Sequence, residues 1–185
     1  MLTVKFRGFN HGEDLERLYE FMMREENQIL FSHAFHINTL QNFEKWLVTK
    51  LSNGFYHDFF MIENENGDTV GFTFSYEFFP HDGHCKFTLC LYEAFRQKGY
   101  GAIASVKMMD YLFRKYPLRQ IFISVFNYNE SSLAANRKAG FEEVAVLPEY
   151  RFTNGAYYDL HILTMPRETF YAKARRFLKS PTEEP

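Results

Sequence analysis

The segment RQKGYGAIA, residues 96–104, marks a change of periodicity on which the rest of the interpretation depends. It follows CKFTLCLY, residues 85–92, whose alternation predicts a strand. It leads into an apolar stripe of helical spacing that begins at Ile103. Gly99 and Gly101 stand at this junction between strand and helix. The segment therefore predicts a tight turn that opens directly into a helix.

A helix that begins near Gly99 predicts an anion site. Its first amide N–H groups have no partner within the helix, and the helix dipole favours negative charge there. Arg96 and Lys98 add positive charge, which suits a diphosphate better than a carboxylate. The segment lacks the Gly-Lys-Ser/Thr ending of a P-loop and the third glycine of a dinucleotide fold. Two interpretations of the segment stay open: it binds the phosphates of another kind of ligand, or it is an ordinary tight turn.

Composition restricts the class of protein. The chain has 185 residues, 46% of them hydrophobic, which is enough for one well-buried domain. Its 21 basic and 23 acidic residues give a net charge of -2, so we expect no general attraction to nucleic acid or to an anionic membrane. No stretch has the layout of a signal peptide, and we expect a cytoplasmic protein with Cys85 and Cys90 as reduced core thiols.

Periodicity predicts the order strand, two helices, three strands, helix, strand, helix and two strands. The turn ENGD, residues 65–68, is a strong hairpin signal, and Asn129 and Gly140 fit the start and end of the last of these helices. This order predicts an α/β (α+β) fold with a mixed, mostly antiparallel sheet of about seven strands and helices on both faces. We expect residues 1–166 to form a single domain, followed in residues 167–185 by a basic amphipathic helix and a disordered tail.

A second motif follows the first at a fixed distance. It begins with an asparagine and continues with a small residue three positions on, a lysine nine positions on and Gly-Phe eleven positions on. Together the two motifs resemble those of the Gcn5-related N-acetyltransferase (GNAT) superfamily. The closing run NGAYYDLHIL is similar to the last strand of the branch that acetylates ribosomal-protein N-termini and related amines. The matching residues are Arg96, Gly99, Gly101, Asn129, Ser132, Lys138, Gly140 and Phe141.

The resemblance implies acetyl-CoA as cosubstrate and direct transfer of its acetyl group to a primary amine of a small molecule or of a protein or peptide N-terminus. It implies a GNAT-like sheet in which one parallel strand pair splays apart to admit the pantetheine arm. The pyrophosphate would lie on the amides of residues 97–102, and we expect a monomer or homodimer. The implied cofactor-binding residues are Leu89, Cys90, Leu91, Arg96, Gln97, Lys98, Gly99, Tyr100, Gly101, Ala102, Asn129 and Ser132.

The catalytic residues depart from the pattern that the resemblance implies. Many GNAT members have a Glu five residues before the Asn of the second motif and a Tyr seven residues after it. Here these positions hold Ser124 and Asn136, and Asn136 is left as a possible hydrogen-bond donor to the departing sulfur. No metal is expected, since the pair His81 and His84 lacks further ligands nearby. The candidate bases are Glu77, Asp159, His84, His33 and His36.

Two classes of function stay open from the sequence. The cofactor motifs favour a working N-acetyltransferase, whereas the missing Glu and Tyr favour an acyl-CoA-binding or regulatory module without turnover. The chain is 19% aromatic, and an aromatic acceptor cleft disfavours polyamines, which need carboxylates. The aromatic residues expected on the acceptor side are Phe35, Tyr76, Phe78, Tyr150, Tyr157 and Tyr158.

Overall fold

The computed structural model describes residues 2–28 and 39–174. His33, Phe35 and His36 and the predicted tail after residue 174 lie outside the described residues. The strands are β1 (Val4–Arg7), β2 (Phe59–Asn64), β3 (Thr69–Phe79), β4 (His84–Leu91), β5 (Gln120–Phe126), β6 (Glu142–Thr153) and β7 (Ala156–Pro166). The helices are α1 (His11–Met23), α2 (Glu25–Gln28), α3 (Leu40–Ser52), α4 (Tyr100–Lys115), α5 (Glu130–Ala139) and α6 (Arg167–Ala174).

The seven strands form one sheet in the order β1-β2-β3-β4-β5-β7-β6. Every neighbouring pair is antiparallel except β4 and β5, which are parallel. Their pairing is confined to residues 84–86 opposite residues 120–122, and beyond Lys86 the two strands separate. The predicted mixed sheet and its splayed parallel pair are therefore confirmed. The short helix α2 is an addition, because the sequence pattern merged it with α1.

Side-chain alternation gives the sheet two different faces. We call the face that carries Phe72, Phe74 and Cys90 the front face, and helices α1 and α3 pack against it through Leu18 and Phe43. Both of these helical residues are fully buried. The two helices form because their apolar residues recur at helical spacing, and the Thr39 hydroxyl accepts a hydrogen bond from the Asn42 amide to start α3.

The opposite side of the sheet, which we call the back face, carries α4, α5 and α6. Met108 of α4 and Leu133 of α5 belong to the same buried cluster as Cys85 and Ile123 of the sheet. Helix α4 therefore covers the parallel pair from behind, as a crossover between parallel strands requires. Helix α5 also begins and ends as predicted, with Asn129 at its start and Gly140, in a left-handed conformation, at its end.

Helix α6 returns onto its own domain. Phe170 is 2% exposed and packs on Phe113 of α4 with ring centroids 5.4 Å apart, and Ala174 is also buried. The Arg167 amide donates to the Arg119 carbonyl and so joins the start of α6 to the start of β5. Among residues 2–28 and 39–174, no helix has the length and hydrophobicity needed to cross a membrane.

Candidate active site

The gap between β4 and β5 exposes backbone groups of β4. The Tyr92 amide donates to the Val70 carbonyl of β3 at 2.9 Å. In an antiparallel ladder this bond turns the N–H and C=O groups of alternate residues away from β3, so those of Leu89 and Leu91 point toward β5. Cys90 instead uses its backbone groups in the ladder with β3. Of the three predicted strand residues, Leu89 and Leu91 therefore offer backbone groups to a ligand in the gap.

The other wall of the gap is the end of β5. The Asn127 amide donates to the Asp159 carbonyl of β7 at 3.0 Å, and the same alternation turns the backbone groups of Ser124 and Phe126 toward β4. Both strands consequently present backbone donors and acceptors to the same space, and of these the Leu91 carbonyl already accepts a hydrogen bond from Arg96 Nε at 3.0 Å. An extended ligand that adds to a strand edge would satisfy them.

Gly71 of β3 allows the end of β4 to take this position. A Cβ atom at residue 71 would overlap the Cys90 carbonyl oxygen and would lie 2.9 Å from the Leu91 Cα. Only glycine therefore lets β4 lie so close to β3 while it moves away from β5. The sequence pattern did not identify this residue, because an isolated glycine within a strand has several structural uses.

The turn after β4 forms a nest of backbone amides. Gln97 and Gly99 have φ values of 60° and 94°, and helix α4 starts directly after Gly99 without a side-chain cap. The amides of Tyr100, Gly101 and the residue after them are thus uncapped at a helix start, which is the geometry that binds phosphate. A Cβ at Gly101 would lie 3.5 Å from the nearest side-chain atom, so the glycine is not needed for packing.

Three predicted cofactor residues near this turn use their side chains differently. Lys98 is exposed at the mouth, with its ammonium 5.8 Å from the Phe95 ring centroid. Tyr100 is 6% exposed, and its hydroxyl donates to Glu65 at 3.3 Å, so its side chain belongs to the core. The Arg96 guanidinium donates to backbone and side-chain oxygens of the protein itself.

The start of α5 lies at the same end of the gap. The Asn129 side-chain oxygen accepts hydrogen bonds from the Ser132 amide and the Ser131 hydroxyl, both at 3.3 Å. The Asn136 amide nitrogen donates to the Ser132 carbonyl at 2.8 Å and to the Ser132 hydroxyl at 3.1 Å. Both hydrogens of the Asn136 amide are therefore engaged within α5, and the side chain does not present a donor to a sulfur atom in this arrangement.

The predicted bases are not assembled at the gap. Glu77 is half exposed and forms an ion pair with Lys86 at 2.7 Å. The Asp159 carboxylate accepts the Glu149 amide at 2.8 Å, where the backbone of β6 bulges with a φ of 51°. Alternation along β7 also places Asp159 on the back face. His84, at the start of β4, contacts the rings of two phenylalanines, Phe79 and Phe122.

Ser124 replaces the carboxylate that the family pattern has on β5. Its hydroxyl is buried and has no hydrogen-bond partner among residues 2–28 and 39–174, and the same is true of the side-chain oxygen of Asn127. Ser124 lies on the front face, since its neighbour Ile123 is part of the cluster behind the sheet. Burial also raises the pKa of the Cys90 thiol to about 12, so Cys90 is a neutral group.

Sequence reasoning expected Tyr158 on the acceptor side but missed Phe126 and Tyr128, with which it forms an aromatic group at the end of β5 on the front face. Tyr128 stacks on Phe126 at 5.3 Å, and Tyr158 meets Tyr128 edge-on at 4.9 Å. Arg151 donates to the Tyr128 hydroxyl at 3.1 Å, and its guanidinium lies 5.0 Å from the Phe126 ring centroid. The position of Tyr128 directly before Asn129 of the second motif was the signal available in the sequence.

These features define a site for an elongated ligand that carries phosphate at one end and adds to a strand edge along its length. Comparisons with known proteins identify a family whose members bind such a ligand. Residues 4–142 match the acetyltransferase (GNAT) domain family. The chain belongs to this family, since the match spans most of its length.

Individual relatives extend the comparison. The chain is 26% identical over 129 residues to the SPbeta prophage-derived uncharacterized N-acetyltransferase YokL of Bacillus subtilis (strain 168), which covers 70% of this chain and 72% of that protein. The spermidine N-acetyltransferase of Vibrio cholerae, solved with CoA and spermine, has a TM-score of 0.79 at 17% identity and covers 91% and 98% of the two chains. The ribosomal L7/L12 alpha-N-protein acetyltransferase RimL, solved with coenzyme A, has a TM-score of 0.75 at 16% identity and covers 90% and 96%.

Family membership decides between the two classes of function that the sequence left open. The protein is an N-acetyltransferase that uses acetyl-CoA as cosubstrate and transfers acetyl groups to amines. The described residues contain no group of three or more His, Cys, Asp or Glu side chains arranged to hold a metal ion.

Proposed function

We propose that this N-acetyltransferase acts by direct transfer on α-amino groups, as found at peptide N-termini and in amino-acid derivatives. The observation that carries the proposal is Ser124, a hydroxyl at the position where the family pattern has a carboxylate base. A serine hydroxyl does not accept a proton from an ammonium ion at neutral pH. The acceptor must therefore arrive largely on its own in the neutral, nucleophilic form.

The pKa of the acceptor amine decides how easily this happens. An α-amino group has a pKa of about 7.7–8.0, whereas an alkyl ammonium such as that of lysine has a pKa of about 10.4. At pH 7 the neutral fraction of the α-amine is about 300-fold larger, because the pKa values differ by about 2.5. An enzyme without a carboxylate at this position consequently favours α-amines over alkyl polyamines.

Charges on the front face support the same choice. Glu77, the acidic residue predicted on the acceptor side, already forms an ion pair with Lys86. Arg151 adds a cation beside Tyr128 and Phe126. A polyamine is held best by carboxylates that have no other partner, and the ion pair with Lys86 means that Glu77 is not such a group. Among the similar structures, RimL is named for a protein α-amine and the Vibrio cholerae enzyme for spermidine.

We place the cosubstrate across the gap between β4 and β5. Its pantetheine arm bonds to the backbone groups of Leu89 and Leu91, and its pyrophosphate lies on the amides of residues 97–102 with Lys98 nearby. Asn129, at the start of α5, contacts the cosubstrate from the end of β5. The exposed backbone groups and the uncapped helix start support this placement.

The chemistry then needs little from side chains. Acetyl-CoA supplies a thioester: the amine nitrogen bonds to the acetyl carbon, the carbon–sulfur bond breaks, and the amine proton passes to solvent. A thiol with a pKa of about 8.5 leaves without full protonation. The residues of the gap bind and orient, and Asn136 acts by holding Ser132 at the start of α5.

A peptide with one free N-terminus and one internal lysine tests the proposal. We expect acetyl-CoA and the enzyme to label the α-amine almost exclusively at pH 7, as mapped by fragmentation mass spectrometry. The Gly101→Val variant serves as the matched inactive control. Preferential labelling of the lysine, or a higher kcat/KM for spermidine than for the peptide, would show that α-amines are not the acceptor.

A further inference from the structure

The Arg96 guanidinium is hydrogen-bonded to the protein itself, although the residue is exposed. Its Nε donates to the Leu91 carbonyl at 3.0 Å, and its Nη2 donates to the Asn27 side-chain oxygen at 2.9 Å. Asn27 is 3% exposed, and its own amide nitrogen donates to the Phe21 carbonyl at 2.8 Å. These bonds connect helix α1, helix α2 and the end of β4 through one guanidinium.

We propose that Arg96 is a positioning residue, which holds the β4–α4 turn in the shape that receives the cosubstrate without itself contacting phosphate. Leu91 is the last residue of β4 and turns its backbone groups to the gap, and Arg96 fixes its carbonyl. The same side chain anchors the turn in which Gln97 and Gly99 take left-handed conformations. Such conformations persist where the surroundings hold them.

The buried partner makes this role specific. A hydrogen bond from a guanidinium to a buried amide oxygen is charge-assisted and strong, and Asn27 is itself fixed by the end of α1. Both side chains are exposed, and the contrast lies in their contacts: the Arg96 guanidinium is held by Leu91 and Asn27, whereas the Lys98 ammonium lies 5.8 Å from the Phe95 ring centroid. The positive charge that meets the phosphates is thus assigned to Lys98, and Arg96 acts through Leu91 and Asn27.

The positioning role of Arg96 and the phosphate-binding role of Lys98 are distinguished by calorimetry of acetyl-CoA binding to full-length variants at several salt concentrations. Asn27→Leu removes the partner of Arg96 without changing any charge, and we expect it to weaken binding about tenfold with an unchanged salt dependence. At saturating acetyl-CoA its kcat should stay within about twofold of the parent. Lys98→Ala should weaken binding and also reduce the salt dependence, because it removes a charge that meets phosphate.

Arg96→Met provides the second variant should Asn27→Leu fold poorly. We expect it to keep the parent salt dependence, and the double variant Asn27→Leu/Arg96→Met to bind no more weakly than Arg96→Met alone. The inference would be overturned if a folded Asn27→Leu protein bound acetyl-CoA with the parent affinity. It would also be overturned if Arg96→Met reduced the salt dependence of binding as much as Lys98→Ala does. The inference rests on the proposed placement of acetyl-CoA, which fails separately if Gly101→Val binds normally.

Discussion

Gly101 determines, at the scale of single residues, how closely a ligand approaches the start of α4. A Cβ here has ordinary contact with Leu91 at 3.5 Å, so the fold accepts a side chain that the pyrophosphate does not. We expect Gly101→Val to abolish acetyl-CoA binding in calorimetry while the thermal midpoint changes little. Lys107→Met, on the same helix away from its start, is the matched control. If Gly101→Val bound acetyl-CoA with the parent affinity, this turn would not be part of the cosubstrate site.

Ser124 carries a different prediction, because its buried hydroxyl has no hydrogen-bond partner in the part of the chain that the structure describes. Removing an unsatisfied buried hydroxyl, as a Ser→Ala substitution does, costs little stability. We expect Ser124→Ala to keep kcat for an α-amine within about threefold of the parent and to unfold at the same or a higher temperature. A loss of 10² or more, in the range typical of acid–base catalysis, would make Ser124 a participant in proton transfer.

Asn136 gives the third residue-scale prediction. Its amide donors are bound to Ser132, so its effect on turnover is indirect. We expect Asn136→Ala to lower kcat by less than about 10². Ser132→Ala should have a smaller effect, since it removes the hydroxyl contact at 3.1 Å and leaves the backbone carbonyl contact at 2.8 Å. Complete loss of activity in folded Asn136→Ala, with Ser132→Ala near normal, would mean that Asn136 acts on the departing thiol.

At the scale of elements, a buried network joins the end of α4 to the start of β2. The Asp58 carboxylate accepts hydrogen bonds from Tyr111 at 2.9 Å, from Lys115 at 3.1 Å and from Tyr116 at 3.2 Å. Burial alone would raise the Asp58 pKa, but hydrogen bonds from His57, Lys115 and Tyr111 outweigh it and hold the pKa below its ordinary value of 3.8.

The pH dependence of stability follows from this shift. A carboxyl whose pKa is lowered by folding stabilises the native state above its unfolded pKa, and the contribution is lost as the pH falls from about 3.8 through the lower folded value. We expect Asp58→Asn to lose about 1–3 kcal/mol of unfolding free energy at pH 7 and to approach the parent as the pH falls from 3.8 through the lower folded pKa. Asp110→Asn, which breaks an exposed pair with Arg114, is the control. Denaturant titrations showing the same Asp58→Asn deficit at pH 7 and pH 3 would contradict this.

The elements themselves were largely predictable from the sequence. The order of strands and helices follows from local signals in the sequence. These are the changes in hydrophobic periodicity, the turn at residues 65–68, and Asn129 and Gly140 at the ends of a helix. The separation of β4 from β5 followed only from the family resemblance. The close approach of Gly71 to Cys90, which accompanies this separation, joins residues that are distant in sequence and has no local signal.

The side-chain roles at the site were less predictable for the same reason. Composition and spacing identified Arg96 as a charge near the turn, but its partner Asn27 lies 69 residues away. Glu77 and Asp159 were candidate bases because of residue type, and their contacts with Lys86 and the Glu149 amide depend on strand register. Residue type indicates what a group is able to do, whereas tertiary contacts decide what it does.

For the whole molecule, helix α6 extends the hydrophobic core. Phe170 packs on Phe113 within the main buried cluster and away from the gap. Burial of a Phe side chain contributes about 2–3 kcal/mol, and each kcal/mol changes the thermal midpoint by about 2–4 °C in a domain of this size. We expect truncation after Met165 to lower the midpoint by at least about 5 °C with acetyl-CoA affinity nearly unchanged. Phe170→Ala should reproduce most of the effect, and an unchanged midpoint in both proteins would contradict this role.

The pH profile of kcat/KM for a peptide N-terminus tests the central claim most directly. Without an enzyme carboxylate as base, kcat/KM should rise about tenfold per pH unit and level off near the amine's own pKa of about 7.7–8.0. A second peptide with a more acidic N-terminal ammonium should level off at a correspondingly lower pH. An inflection below pH 7 that stays fixed for both peptides would report a titrating base of the enzyme and contradict the account.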